Sequence, residues 1–265
     1  MTEISRLIDT ERYPLHRPAG ARCRELVAAC RAALESDGLF NLDGFVRPEA
    51  VAAAAAELKP AIDTVAFRHA RLHNIYFLDS VPGLSDNHPA LARHETINNT
   101  LCADQMAGSA VMAIYEWLPL ADFLAEVTGM APLHLMADPL ARANVMAYRA
   151  GEALNWHFDR TDFTTTLLLQ APEGGGAFQY RRDLRSADEP NHEGEARLVS
   201  GRDPQVATLP LAAGTLNVFR GRNTSHRVTP VEGPHERIIA VFSYYGRPGV
   251  QFSTAERIGF YGRPG

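Results

Sequence analysis

From Pro132 onward the chain is cut into short β-rich runs by glycine, proline and aspartate, and this punctuation constrains the fold more than any other feature. The runs fall at 142–149, 163–170, 177–181, 205–209, 215–219 and 237–245. Strands this short and this closely spaced pair with one another rather than alternating with crossover helices, which predicts an antiparallel sandwich or barrel. The first half reads differently. Over 19–37, Leu26, Val27, Cys30, Ala33 and Leu34 recur at helical spacing, and Gly38 follows where a C-terminal cap belongs. Residues 38–46 alternate as a short strand, Pro48 opens an alanine-rich helix that runs to about residue 65, and a third helical stretch over 107–127 closes before Gly129. The expected architecture is mainly β with flanking helices: a double-sheet jelly-roll core over 132–265, buttressed by a helical N-terminal portion over 1–131, in one domain. The polar stretch 181–203 interrupts the strands and is expected to be either a lid or a disordered insertion, with the glycines at 174–176 as a hinge.

Charge narrows the partners. Lys and Arg total 26 against 31 Asp and Glu, a net charge of -5, so no general positive field exists to hold a nucleic-acid backbone. The three cysteines, Cys23, Cys30 and Cys102, are odd in number and without CxxC spacing. They indicate neither a disulfide framework nor a thiolate zinc site, and a reducing cytoplasm is the expected location. The N-terminal residues lack the apolar core of a secretory signal, and the alanine run near Val51 is far shorter than the roughly 20 residues of a membrane span. No membrane partner is expected.

Chemistry concentrates at His157-Phe158-Asp159. On an extended chain alternate side chains share a face, so the imidazole and the carboxylate converge while Phe158 turns away. A further histidine, His226, arrives on the far side of the β region, after the strand expected at 215–219. Two neutral imidazoles and one carboxylate on one side of an ion leave the other positions open, as oxygen-activating Fe(II) requires, although zinc also accepts such a set. Arg237 then opens an apolar strand. An arginine entering a sandwich interior is costly unless an anion meets it, and its planar fork suits a carboxylate. Tyr148, on a strand that puts Asn144, Met146 and Tyr148 on one face, is a second anchor.

Taken together, Tyr148, Gly151, His157 and Asp159, then Phe219-Arg220-Gly221-Arg222, then His226-Arg227-Val228-Thr229-Pro230-Val231, and finally Arg237, resemble the Fe(II)- and 2-oxoglutarate-dependent dioxygenases. The opening helix, the Gly38-Leu39-Phe40 strand and the Pro48-Glu49 helix extend the similarity over most of the chain. The resemblance implies a double-stranded β-helix, an oxidoreductase activity, and dependence on Fe(II), 2-oxoglutarate and O2. It implies that His157, Asp159 and His226 are the catalytic metal ligands and that Arg237 holds the far carboxylate of 2-oxoglutarate, with Tyr148 and Thr166 as further cosubstrate contacts. The stretch from His157 to Tyr180, with Leu184-Arg185-Ser186, is similar to a bacterial group of free-amino-acid halogenases and hydroxylases. Halogenases of that group carry a small residue in place of the iron-bound carboxylate. Asp159 fills that position, which implies hydroxylation, or else desaturation or ring closure.

The substrate expected from this resemblance is a small amino-acid-like molecule of bacterial secondary metabolism, with Arg71 and His73 as first candidates for its carboxylate and Arg160 as another. A cation beside the iron disfavours a lysine-like side-chain end. The competing expectations are a dioxygenase acting on a carrier- or protein-bound residue, and a non-catalytic metal-binding β-sandwich module. Self-association into a homodimer is left open.

Overall fold

The computed structural model describes residues 3–186 and 188–265. Eleven strands longer than two residues build the frame. They are β1 (Leu39–Leu42), β2 (Phe67–His73), β3 (His94–Cys102), β4 (Ala143–Tyr148), β5 (Leu154–His157), β6 (Thr164–Gln170), β7 (Phe178–Arg181), β8 (Ala207–Leu209), β9 (Leu216–Phe219), β10 (Ser225–Val228) and β11 (Arg237–Phe242). Seven of them form one antiparallel sheet in the order β1-β9-β6-β11-β4-β3-β2. Four form the facing sheet, β8-β7-β10-β5. This is the double-sheet jelly roll that closely spaced short strands predict, and the protein is mainly β with flanking helices.

The larger sheet is dressed on its outer face. The helices Ala21–Ser36, Pro48–Thr64, Ala110–Tyr115 and Leu118–Thr128 pack there, and their buried residues join Val145, Ala147, Leu167, Leu169, Val218, Ile238 and Ala240 in the principal apolar core. Pro48 stands in the first turn of its helix, where a missing N–H costs nothing. Gly129 caps Leu118–Thr128 in the left-handed conformation. The helix expected over 107–127 is divided in two, because the first helix ends at Glu116 and Trp117 adopts extended dihedrals before Pro119 begins a new turn.

Four strands fall outside the expected runs: β5 and β10 in the β-rich half, and two more in the N-terminal half. The N-terminal half supplies β2 and β3, which extend the larger sheet beyond β4. Their sequences, FRHARLH and HETINNTLC, alternate basic or polar residues rather than apolar ones, because the face turned toward the second sheet is polar. The segment 181–203, apart from residue 187, is folded rather than disordered: it carries the helix His192–Val199, whose Glu195 is fully buried and accepts hydrogen bonds from Tyr76 and His192. Among the described residues no helix is long and apolar enough to cross a membrane.

Candidate active site

The site lies between the sheets. On β10, His226 is the direct antiparallel partner of His157 at the end of β5, so both imidazoles project from the same face, with ring centroids 4.1 Å apart. Asp159 leaves β5 two residues later and closes the triangle: its Oδ1 is 3.6 Å from His157 Nε2 and its Oδ2 is 3.5 Å from His226 Nε2. One potential ligand atom from each of the three lies within 4.8 Å of the others. Each ring is held from behind by a backbone carbonyl, Nδ1 of His157 by Asn155 O at 2.8 Å and Nδ1 of His226 by Thr224 O at 3.1 Å. A ring whose Nδ1 donates to a carbonyl presents Nε2 with its lone pair free, which is the metal-binding tautomer.

Electrostatics agree. Burial, then the neighbouring His226, push the His157 pKa down to about 3, so the ring is neutral at physiological pH. Burial alone would raise the Asp159 carboxyl, but His226, His157 and the Thr164 hydroxyl together hold it below the usual range. Two imidazoles and a carboxylate, with no fourth protein donor among the described residues, fit a divalent ion that keeps open positions.

Arg237 fits the second half of the expectation. It is 2% exposed, sits at the start of β11 opposite Tyr148 on β4, and its Nη1 is buried without a hydrogen-bond partner. Burial lowers its pKa from the ordinary guanidinium value. A buried, unpaired guanidinium calls for an anion. Gly176 packs against the stem of this arginine: its φ of +56° is in the left-handed region, and a Cβ there would stand 2.7 Å from Pro172 Cγ and 3.2 Å from Arg237 Cδ. The hydroxyl of Tyr148 has only Met146 Sδ, at 3.9 Å, as a partner, and burial pushes its pKa up, so it remains protonated. The residues therefore fit a carboxylate cosubstrate deep in the barrel. Thr166 points to this same interior from β6, and its side-chain hydroxyl makes no hydrogen bond among the described residues.

The substrate candidates separate. Arg71 points inward from β2, its guanidinium 4.2 Å from the Phe77 ring centroid and 5.7 Å from that of Phe260. Its Nε is buried and unpaired, and among the described residues no carboxylate forms an ion pair with it. His73 is different: Nδ1 meets Asn74 O at 2.8 Å and Nε2 meets Thr96 Oγ1 at 2.6 Å, so both nitrogens are engaged and the ring serves as a stacking surface for Phe77. Arg160 is ion-paired with Glu256 and lies over Phe252 and Phe260. Its guanidinium thus reaches the C-terminal helix Thr254–Tyr261 rather than the His157–Asp159–His226 cluster.

Several residues at the site were given no role by the sequence reading. Phe77, 5.8 Å from His157 in an edge-on contact, has φ +57°, a strained conformation for an aromatic residue and one with no sequence signal. Thr164 and Gly221 flank Asp159. Phe219 and Phe178 pack against the His226 ring.

With this geometry established, the family model for halogenase D matches residues 23–256. The chain belongs to the halogenase D family. Its fold is similar to that of the non-heme alpha ketoglutarate dependent carbocyclase SnoK from nogalamycin biosynthesis, with a TM-score of 0.58 at 14% identity over 89% of this chain and 92% of that one. It is similar to AviO1 from Streptomyces viridochromogenes Tue57, with a TM-score of 0.55 at 19% identity over 83% and 95%. A 2OG-Fe(II) oxygenase family member from Burkholderia pseudomallei gives 0.50 at 15% identity over 84% and 92%. A search of curated proteins finds no match. The fold of this halogenase D family member is thus similar to that of solved 2OG-Fe(II) oxygenases, and its His157, Asp159 and His226 are placed to hold a metal ion.

Proposed function

We propose that the chain acts, as a single dioxygenase domain, to hydroxylate an unactivated C–H bond of a small amino-acid-like substrate, or to oxidise it by desaturation or ring closure. The observation that carries this reading is the convergence of His157, Asp159 and His226, joined by a buried Arg237 whose Nη1 has no partner among the described residues. Fe(II) with 2-oxoglutarate and O2 supplies the oxidising power for C–H cleavage, 2-oxoglutarate ending as succinate and CO2. His157, Asp159 and His226 hold the metal. Arg237, assisted by Tyr148 and Thr166, binds and orients the far carboxylate of the cosubstrate. Asp159 stands where a halogenase needs a small residue, which favours oxygen transfer over halogenation.

Arg71 receives the carboxylate of the substrate, since its unpaired Nε and its stacked position on Phe77 place a cation one aromatic ring away from His157.

Anaerobic addition of Fe(II) and 2-oxoglutarate is expected to give a visible charge-transfer absorption that His157→Ala and Asp159→Ala abolish. Persistence of that absorption in both variants overturns the ligand assignment. Succinate release is then expected with one or more free amino acids. A response only to carrier-bound amino acids replaces the free-substrate reading with the carrier-bound one.

A further inference from the structure

Beside the metal-binding triangle, three contacts hold Asp159. Thr164, the first residue of β6 and the partner of Phe219 on β9, donates its hydroxyl to Asp159 Oδ2. The Asp159 amide donates to the carbonyl of Gly221 at 3.0 Å. A Cβ added at Gly221 would stand 2.5 Å from Asp159 Oδ2, 2.5 Å from Thr164 Oγ1 and 2.8 Å from Asp159 Cβ. Gly221 is not among the glycines with positive φ, so the requirement for glycine is one of space and not of backbone conformation.

We propose that Thr164 and Gly221 are positioning residues that fix the orientation of the Asp159 carboxylate toward the two imidazoles. The inference rests on Asp159 being a metal ligand and adds how that ligand is aimed. Asp159 follows β5 in a loop, where no ladder hydrogen bonds of its own strand hold it. A carboxylate on such a segment turns about its terminal torsion at little cost, and a turned carboxylate directs its charge away from the ion. The Thr164 hydroxyl occupies one oxygen and fixes that torsion. The bare Cα of Gly221 lets the carboxylate lie back against the β9–β10 connection. Alternation makes the choice of threonine specific: of the three in series, Thr164 and Thr166 face the interior, while the buried hydroxyl of Thr165 faces the other way and has no partner. Groups that orient a ligand typically change metal affinity by about 10- to 100-fold when removed.

The test is anaerobic titration with Co(II), followed by its visible absorption, of the wild-type protein, Thr164→Val, Thr164→Ser, Gly221→Ala and Asp159→Ala. Thr164→Val is expected to weaken Co(II) binding about 10- to 100-fold, Thr164→Ser to return it to near the wild-type value, and Gly221→Ala to weaken it at least as much as Thr164→Val. Wild-type affinity in Thr164→Val, with binding lost in Asp159→Ala, overturns the positioning role and leaves the ligand assignment standing. Wild-type affinity in Asp159→Ala as well shows that the ligand assignment itself has failed. If Thr164→Val does not fold by circular dichroism, Gly221→Ala decides: weakened binding supports the role and wild-type binding overturns it.

Discussion

The two faces of the seven-stranded sheet are made by the same strands and do opposite work. On β4, Ala143, Val145 and Ala147 are fully buried against the helices, while Asn144, Met146 and Tyr148 face the second sheet. On β11, Ile238 and Ala240 go to the helices, and Arg237 goes inward. The outer face is an apolar core of ordinary composition. The inner face collects His69, His73, Thr96, Asn98, Thr100, Thr166 and Arg237, all buried. Burying polar groups costs free energy unless each finds a partner. The outer face therefore stabilises the fold, and the inner face is held in place by it so that groups such as Arg237 remain available to a ligand.

The contrast can be broken by substitutions on either side. The largest effect is expected on the outer face: Leu167→Ala removes a fully buried core side chain and should cost about 2–5 kcal/mol of unfolding free energy. Chemical denaturation measures this, and 2-oxoglutarate affinity of the folded protein should be unchanged. A cost below 1 kcal/mol on that scale, or a lost affinity, means that the faces are not separate.

On the inner face the expected signs reverse. Arg237→Met should weaken 2-oxoglutarate binding about 10- to 100-fold, matching the loss of a charge-assisted hydrogen bond of about 1.5–3 kcal/mol. It should not lower the melting temperature of the ligand-free protein, because the arginine is a buried cation without an acid partner. Calorimetric titration and a thermal melt read the two effects separately. A melting temperature that falls as affinity falls would assign Arg237 to the scaffold.

The smallest effect is one of pH. Burial, with Arg71 and His73 nearby, lowers the His69 pKa to about 4, against 6.5 for the free side chain. Between these values the unfolded chain binds a proton that the folded chain does not. Stability is therefore fully present above about pH 6.5 and is lost as pH falls toward 4, by about 1–2 kcal/mol at pH 5. His69→Gln should flatten that slope in urea unfolding at pH 7.5 and 5.0. An unchanged slope would show that His69 exchanges protons freely in the folded state.

Legibility in the sequence followed the same division. The outer face announces itself through helical periodicity around Leu26 and Cys30 and through the strand punctuation after Pro132, because apolar burial leaves a periodic trace. The inner face leaves a chemical trace only where the residue type is itself costly or rare in context: His157, Asp159, His226 and Arg237 stand out for that reason. The strands β2 and β3 did not, since a polar interior erases the alternation that identifies a half-buried strand. His73 and Arg71 look equivalent in the string Arg71-Leu72-His73, yet one has both nitrogens satisfied and the other has a buried Nε with no partner.

What the sequence by itself determined is the chemistry available: two imidazoles, a carboxylate, an arginine with no apolar excuse, and a chain of short strands able to carry them. Only the tertiary structure decided which groups are free to act. Hydrogen-bond satisfaction is a property of neighbours that are distant in the chain, as when Thr96 occupies His73 and Thr164 turns Asp159, and spacing along a sequence does not encode where such neighbours arrive.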